Sequence, residues 1–255
     1  MRTRFAPSPT GYLHIGHARA AAEAFGWARE HGAECLLRIE DIDHTRCRPE
    51  YKEAIFEDLR WLGFDWPEPV RVQSAHMGDY ADVAERLREM GVVYPCDLSR
   101  KEVAERTVDG VFRGEAVPGE GAPWRLDVRR AAEMTGPLSY RDNGDVVEVD
   151  FDAVSDEIVV RRDIGTSYYL ACTHDDQVQG ITHVVRGEDL REAAPVQRIL
   201  QALMGWEAPE YVHHALVMDG GRKLSKSDGD TAIGELRAAG VSPAEVLQAT
   251  ASTAR

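Results

Sequence analysis

The 255-residue chain is poor in lysine and cysteine and has no long apolar run. Of its 30 basic residues only four are lysine, Lys52, Lys101, Lys223 and Lys226, and two of these stand three apart in one segment. The four cysteines, Cys35, Cys47, Cys96 and Cys172, are scattered and form no C-x-x-C pair. Such spacing excludes a dense disulfide framework and suits reduced thiols in a cytoplasm. No stretch approaches the roughly 18 apolar residues of a membrane span, and Met1 to Thr10 carries no apolar run of the secretory kind. No internal repeat or low-complexity tract is present. The expectation is a soluble, cytoplasmic, monomeric protein with no membrane partner.

Positive charge is also scarce, for the net charge is -14. That excludes a general polyanion binder, because phosphate contacts supply most non-specific nucleic-acid affinity. A chain of this balance that reads RNA must gather its cations on one face. Lys223 and Lys226 suit point-charge contact with mobile phosphates; the competing reading is drift in an arginine-rich sequence.

The opening reads strand, loop, helix. Arg2 to Ala6 is short and extended, and Pro7-Ser8-Pro9-Thr10-Gly11 breaks it. Alanine-rich Ala18 to Glu30 has strong helix propensity and stops at Gly32. Cys35 to Ile39 reads as a buried strand, closing a β-α-β unit with a parallel sheet. Two amphipathic helices follow, one presenting Ile55, Leu59 and Leu62, the other Tyr80, Val83, Ala84, Leu87 and Met90. From Tyr94 the texture loosens into glycines, prolines and short strand-like pieces at Arg125 to Arg129 and Val146 to Val149. Strand-like runs resume at Ile158 to Val160, Tyr168 to Cys172 and Ile181 to Val185, with a helix over Pro195 to Met204. Asp219-Gly220-Gly221 signals a turn. The architecture expected is α/β, a Rossmann-type parallel sheet with an inserted subdomain. Its first half is 1–93, the insertion 94–157 and the second half 158–205, with a loop and helical stub over 206–255.

Two motifs point to phosphate chemistry. His14-Ile15-Gly16-His17 stands where the first strand gives way to a helix, and a helix start offers N–H groups and a positive dipole end to anions. His14 and His17 share a face, and Gly16 removes a side chain where a nucleotide could lie against backbone. Lys223-Leu224-Ser225-Lys226-Ser227, set among glycines, places two ammonium groups where they could converge on a leaving pyrophosphate. Each has a plain alternative, capping histidines for the first and a solvated basic loop for the second.

Taken in order, Arg4-Phe5-Ala6-Pro7-Ser8-Pro9-Thr10-Gly11, H-I-G-H, Arg38-Ile39-Glu40-Asp41-Ile42-Asp43 and K-L-S-K-S resemble the signature of class I aminoacyl-tRNA synthetases. Leu62 to Trp66, Gln73-Ser74, Tyr94-Pro95-Cys96, Val185 to Asp189 and Tyr211 to His214 place the resemblance in the glutamyl branch. The resemblance runs from Arg2 to about Asp230. It implies catalytic roles for His14, His17, Lys223 and Lys226, and ATP contacts from these and Gly16, with Mg²⁺ arriving on the nucleotide. It also implies glutamate contacts from Arg4, Ser8, Glu40, Tyr168 and Arg186. Arg4 and Arg186 would hold the two carboxylates, for which a planar guanidinium fork is suited. Glu40 has a competing reading as ion-pair partner of Arg38, and Tyr168 as a core strand tyrosine.

The sequence also departs from that pattern. Cys172 stands where the protein-synthesis members tend to carry asparagine, and a thiol lacks the amide's two-sided hydrogen bonding, which implies a looser glutamate pocket or a different substrate. Cys96 stands alone where many relatives have a zinc-binding cysteine set, and one thiolate cannot build a tetrahedral site; no structural zinc is expected. Only 28 residues follow Ser227, too few for anticodon-reading domains. The short glutamyl branch that resembles this chain implies glutamyl-adenylate formation without tRNA and transfer to queuosine in tRNA(Asp). Two rivals stay open, the same activation with another acceptor and a catalytically silent RNA-binding paralogue.

Overall fold

Alanine spacing in the first helix is what lets the sheet and helix close together. A computed structural model describes residues 1–216, 218–219, 222–223 and 231–252. Its first segment runs β1 (Arg2–Phe5), α1 (Ile15–Glu30), β2 (Glu34–Ile39), α2 (Pro49–Trp61) and β3 (Arg71–Val72). Ala18, Ala21, Ala24 and Ala28 form the buried stripe of α1, at the three- and four-residue spacing of one helix face. Side chains this small let the helix axis approach Phe5, Leu37 and Ile39 of the sheet, with Ile55 and Leu59 of α2 in the same core. Gly32, at φ 59°, carries the chain out of α1 through a left-handed turn that other residues adopt at a cost.

β1 and β2 pair in parallel, Arg4 opposite Leu36, and β2 and β3 pair in parallel, Arg38 opposite Arg71. On the other flank of β1 lies the strand His183–Gly187. Thr182 donates its N–H to the Arg2 carbonyl at 2.9 Å, and Arg4 reaches the Val185 carbonyl, so the two strands run the same way. The strand Glu210–His214 neighbours His183–Gly187 in turn. The expected β-α-β unit and parallel sheet are therefore present.

The chain divides into two compact units. The first comprises Met1–Ser74, Ile181–Arg191 and Tyr211–Arg255, the second Ala75–Gly180 and Glu192–Glu210. In the second, Val93–Pro95, Trp124–Leu126 and Ile158–Val160 make a three-stranded antiparallel sheet. A hairpin, Ser139–Asp142 with Asp145–Glu148, turns on Asn143 and Gly144, both at positive φ, the residue pair that a tight hairpin turn favours. Asp156, only 2% exposed, gathers this unit's inserted part. It accepts from the Tyr94 hydroxyl at 2.8 Å, Gly114 N at 3.1 Å and Val128 N at 3.2 Å. Burial and the neighbouring carboxylate push the Tyr94 hydroxyl up, so it stays a donor.

Two local expectations are corrected. Tyr168 to Cys172 is the first part of a helix, Tyr168–Val178, not a strand. Ser167 caps it by accepting from Leu170 N, and buried Asp175 and Asp176 lie on the same helix as buried Leu170, Ala171 and Cys172. Burial of this many positions hides the amphipathic period, and the aromatic pair imitates strand propensity. The strand expected over Arg125 to Arg129 ends at Leu126, because Asp127 caps a helix over Val128–Thr135 by accepting from Arg130 N at 2.9 Å.

In the first unit Asp58 of α2 is buried, with its carboxylate 3.5 Å from Arg237 of the helix Ile233–Ala238. Burial pushes its carboxyl up to about 6 against an ordinary 3.8; Arg237 opposes the shift and Glu57 adds to it. The folded state thus binds this proton more tightly than the unfolded chain. The stabilisation that Asp58 contributes is complete below pH 3.8 and lost as pH rises through about 6. Asp58→Asn should therefore stabilise the protein more at pH 7.5 than at pH 4.5, by about 1–3 kcal/mol between the two. Urea unfolding of both proteins at the two pH values checks this, and an equal effect at both would show that Asp58 does not titrate in that window.

Candidate functional site

At the carboxyl end of β1 the chain turns through Pro7–Gly11 into the start of α1. His14 is the N-cap of α1, with extended backbone (φ -126°, ψ 179°). Its Nδ1 accepts from Gly16 N at 3.0 Å, and His17 Nδ1 accepts from His14 N at 3.2 Å, a reciprocal capping box built of two imidazoles. Because both Nδ1 atoms accept, each ring carries its proton on Nε2. The rings lie 4.0 Å apart, so two Nε2–H donors leave the same helix start. Capping and phosphate donation are thus compatible roles for one pair of rings. Gly16 has a reason beyond nucleotide access: a Cβ there would stand 2.8 Å from His14 Cε1, so glycine is what lets the His14 ring fold back over the turn.

The segment after β2 is organised by its carboxylates. Arg38, wholly buried, donates to Glu40 at 2.9 Å, so the ion-pair reading of Glu40 is what the structure shows. A charge buried this deeply needs such a partner. Glu40 N donates to the Pro7 carbonyl, tying the end of β2 to the loop that carries Ser8. Ser8 itself is exposed. Asp41 accepts from Ser74 N at 2.8 Å and Ser74 Oγ at 2.7 Å, and buried Asp43 accepts from Thr45 and Arg46. The sequence alone assigns Asp41 and Asp43 no role; here they tie the loop after β2 to Ser74 and fold it on its own Thr45 and Arg46.

Arg4 and Arg186 come from adjacent strands and are 4% and 5% exposed. Arg4 Nη1 reaches the Val185 carbonyl at 3.5 Å. Arg186 Nε donates to His213 Nε2 at 3.1 Å, and its guanidinium lies 4.8 Å from the centre of the Tyr211 ring. Tyr211 and His213 are parallel to within 3°. Neither was assigned a role from sequence, although their i, i+2 spacing on a strand puts them on one face. Together they fix the plane of the Arg186 fork, and His213 must hold its Nε2 unprotonated to accept.

Lys223 belongs to a short antiparallel ladder, Met218–Asp219 with Arg222–Lys223. Gly220, Gly221, Ser225, Lys226 and Ser227 lie outside the described residues. The chain beyond them returns to the site, for Ala232 forms a β-bridge with His14 and Ile233 N donates to the Leu13 carbonyl at 2.8 Å. Ala232 and Ile233, six and seven residues past Lys226, are thus fixed against the turn that carries the histidine cap. Tyr168, which begins the helix Tyr168–Val178, and Cys172 belong to the second unit. Cys172 is fully buried, its Sγ 3.7 Å from Asp176 Oδ2.

Among the described residues no group of three or more His, Cys, Asp or Glu is arranged to hold a metal ion. No described helix is long and apolar enough to cross a membrane.

A parallel sheet with paired imidazoles at the start of its first helix is the frame of a class I synthetase. The family described as tRNA synthetases class I (E and Q), catalytic domain, matches residues 1–111 and 111–252. The chain belongs to that family and is a ligase. It is 42% identical to a glutamyl-Q tRNA(Asp) synthetase of Rhodobacter capsulatus, over 96% of this chain and 98% of that protein. It is 40% identical to glutamate–tRNA ligase 2 of Gluconobacter oxydans, of which it spans 60%. A crystal structure of glutamate-tRNA synthetase from Elizabethkingia anophelis superposes with a TM-score of 0.73 at 29% identity, covering 90% of this chain and 53% of that one.

Proposed function

We propose that this chain activates glutamate with ATP and transfers the glutamyl group to queuosine at the wobble position of tRNA(Asp). The observation that carries this reading is the similarity to the Rhodobacter glutamyl-Q tRNA(Asp) synthetase, which extends over 98% of that protein. In the first step a glutamate α-carboxylate oxygen attacks the α-phosphorus of ATP. The bond to the bridging oxygen breaks, and pyrophosphate leaves with the charge. In the second, a hydroxyl of the acceptor attacks the glutamyl carbonyl and AMP leaves.

The residues have distinct work in this scheme. His14 and His17 donate from Nε2 to phosphate oxygens, and Gly16 lets the first ring fold into place. Lys223 and Lys226 neutralise the departing pyrophosphate. Arg4 and Arg186 hold the two glutamate carboxylates, while Ser8, Glu40 and Tyr168 complete the amino-acid site. Glu40, paired with Arg38 at 2.9 Å, offers a carboxylate suited to the α-ammonium group. Mg²⁺ enters with ATP, held chiefly by the phosphates themselves.

Glutamate-dependent exchange of pyrophosphate into ATP, in folded protein with Mg²⁺ and no RNA, is the expected first result. No exchange with glutamate or any other acidic amino acid would sink the activation step. Transfer of labelled glutamate to tRNA(Asp) carrying queuosine, and not to the same tRNA with guanosine there, is the expected second. Exchange without such transfer would turn the reading to another acceptor.

A further inference from the structure

The rim of the histidine cap carries an aromatic surface that the activation chemistry does not use. Among the described residues the exposed large hydrophobics include a single aromatic, Tyr12, with 51% of its surface exposed. It stands two residues before His14, and its ring packs edge-on against Tyr51 of α2, 4.9 Å between centres at 80°. Arg48 N donates to the Pro9 carbonyl at 3.1 Å, fastening the loop that carries Tyr12 to the start of α2. Around Tyr51 the segment from Asp43 to Glu53 carries Arg46, Arg48 and Lys52 interleaved with Asp43, Glu50 and Glu53. Arg46 and Arg48 are 67% and 63% exposed; Asp43 holds the first at 2.8 Å, and Glu50 stands 3.9 Å from the second.

An exposed ring held rigid by a second ring, with cations alongside, is how proteins hold unpaired nucleotides: the base stacks and the backbone phosphates meet the charges. An acidic peptide would use the cations but not the flat ring. A duplex would keep its bases stacked on one another and away from Tyr12. We propose that Tyr12, braced by Tyr51 and with Arg48 on the segment fastened to its loop, is a stacking platform for an unpaired base of the RNA acceptor, at the edge of the catalytic site. The proposal rests on the reading that the acceptor is RNA.

The test is binding of a fluorescently labelled tRNA(Asp) transcript by anisotropy across a salt series. Tyr12→Ala should weaken binding about 5- to 150-fold, the usual cost of removing one base-stacking ring. Tyr12→Phe should stay within about twofold of wild type, since the stacking face is kept. Tyr12→Leu, which preserves apolar contact with Tyr51 but has no flat face, should lose as much as alanine and serves if the alanine variant fails to fold. Arg48→Ala should lower the slope of log Kd against log salt by about 0.7–0.9, the loss of one phosphate contact. Wild-type binding in folded Tyr12→Ala or Tyr12→Leu, or an equal loss on a hairpin RNA with no unpaired loop beyond its turn, overturns the platform. Exchange of pyrophosphate in the wild type separates the two ideas. Normal exchange with unaltered RNA binding in the Tyr12 variants removes the platform alone, and absent exchange with the expected binding losses removes the synthetase reading alone.

Discussion

Lys226→Ala is expected to slow glutamyl-adenylate formation by about 10²–10³-fold, the usual cost of removing one preorganised donor aimed at developing charge, with only a modest change in ATP affinity. Negative charge builds on the bridging oxygen as the bond to pyrophosphate breaks. A group that meets it only then raises turnover more than binding. In the reading proposed above, Lys226 is the more strictly catalytic of the two lysines. Its own position lies outside the described residues, but the chain six residues later is bridged to His14 at Ala232. The described chain thus rejoins the histidine cap at Ala232. Pre-steady-state adenylate formation decides the matter. A rate within about threefold of wild type, less than ~1 kcal/mol of barrier, would return Lys226 to a solvated loop and leave the histidines to explain the chemistry.

Arg186→Ala should raise the Michaelis constant for glutamate by about 10- to 150-fold, since a charge-assisted hydrogen bond contributes roughly 1.5–3 kcal/mol, while the constant for ATP stays near the wild-type value. The guanidinium is 5% exposed, set over Tyr211 and bonded to His213, so alanine also leaves a gap in the strand packing. Arg186→Lys guards against misreading a folding defect. It keeps the charge but loses the fork, and should fall between wild type and alanine. Unchanged glutamate constants in both folded variants would show that Arg186 serves the sheet and not the substrate.

Much of the first unit was legible because its signals are local. Alanine every three or four residues from Ala18 to Ala28, a proline-glycine break before His14 and glycine at the far end specify a strand–loop–helix without reference to anything distant. The helix Tyr168–Val178 misled for the opposite reason. With Leu170, Ala171, Cys172, Thr173, Asp175 and Asp176 all buried, no polar face survives to show the helical period.

By itself the sequence determined the β-α-β start, the imidazole pair at the helix entrance, the lysine-bearing segment and the family, because each depends on residue types at short spacing. Tertiary structure alone decided which groups meet. Arg4 finds the Val185 carbonyl 181 positions away, and Arg186 finds His213 27 positions away. Glu40 had two readings in sequence, and the complete burial of Arg38 settled that the two side chains pair. No pattern in a linear chain encodes the meetings of Arg4 with Val185 or of Arg186 with His213. They follow from how the strands lie side by side in the fold, where a charge taken out of water must have a partner within reach.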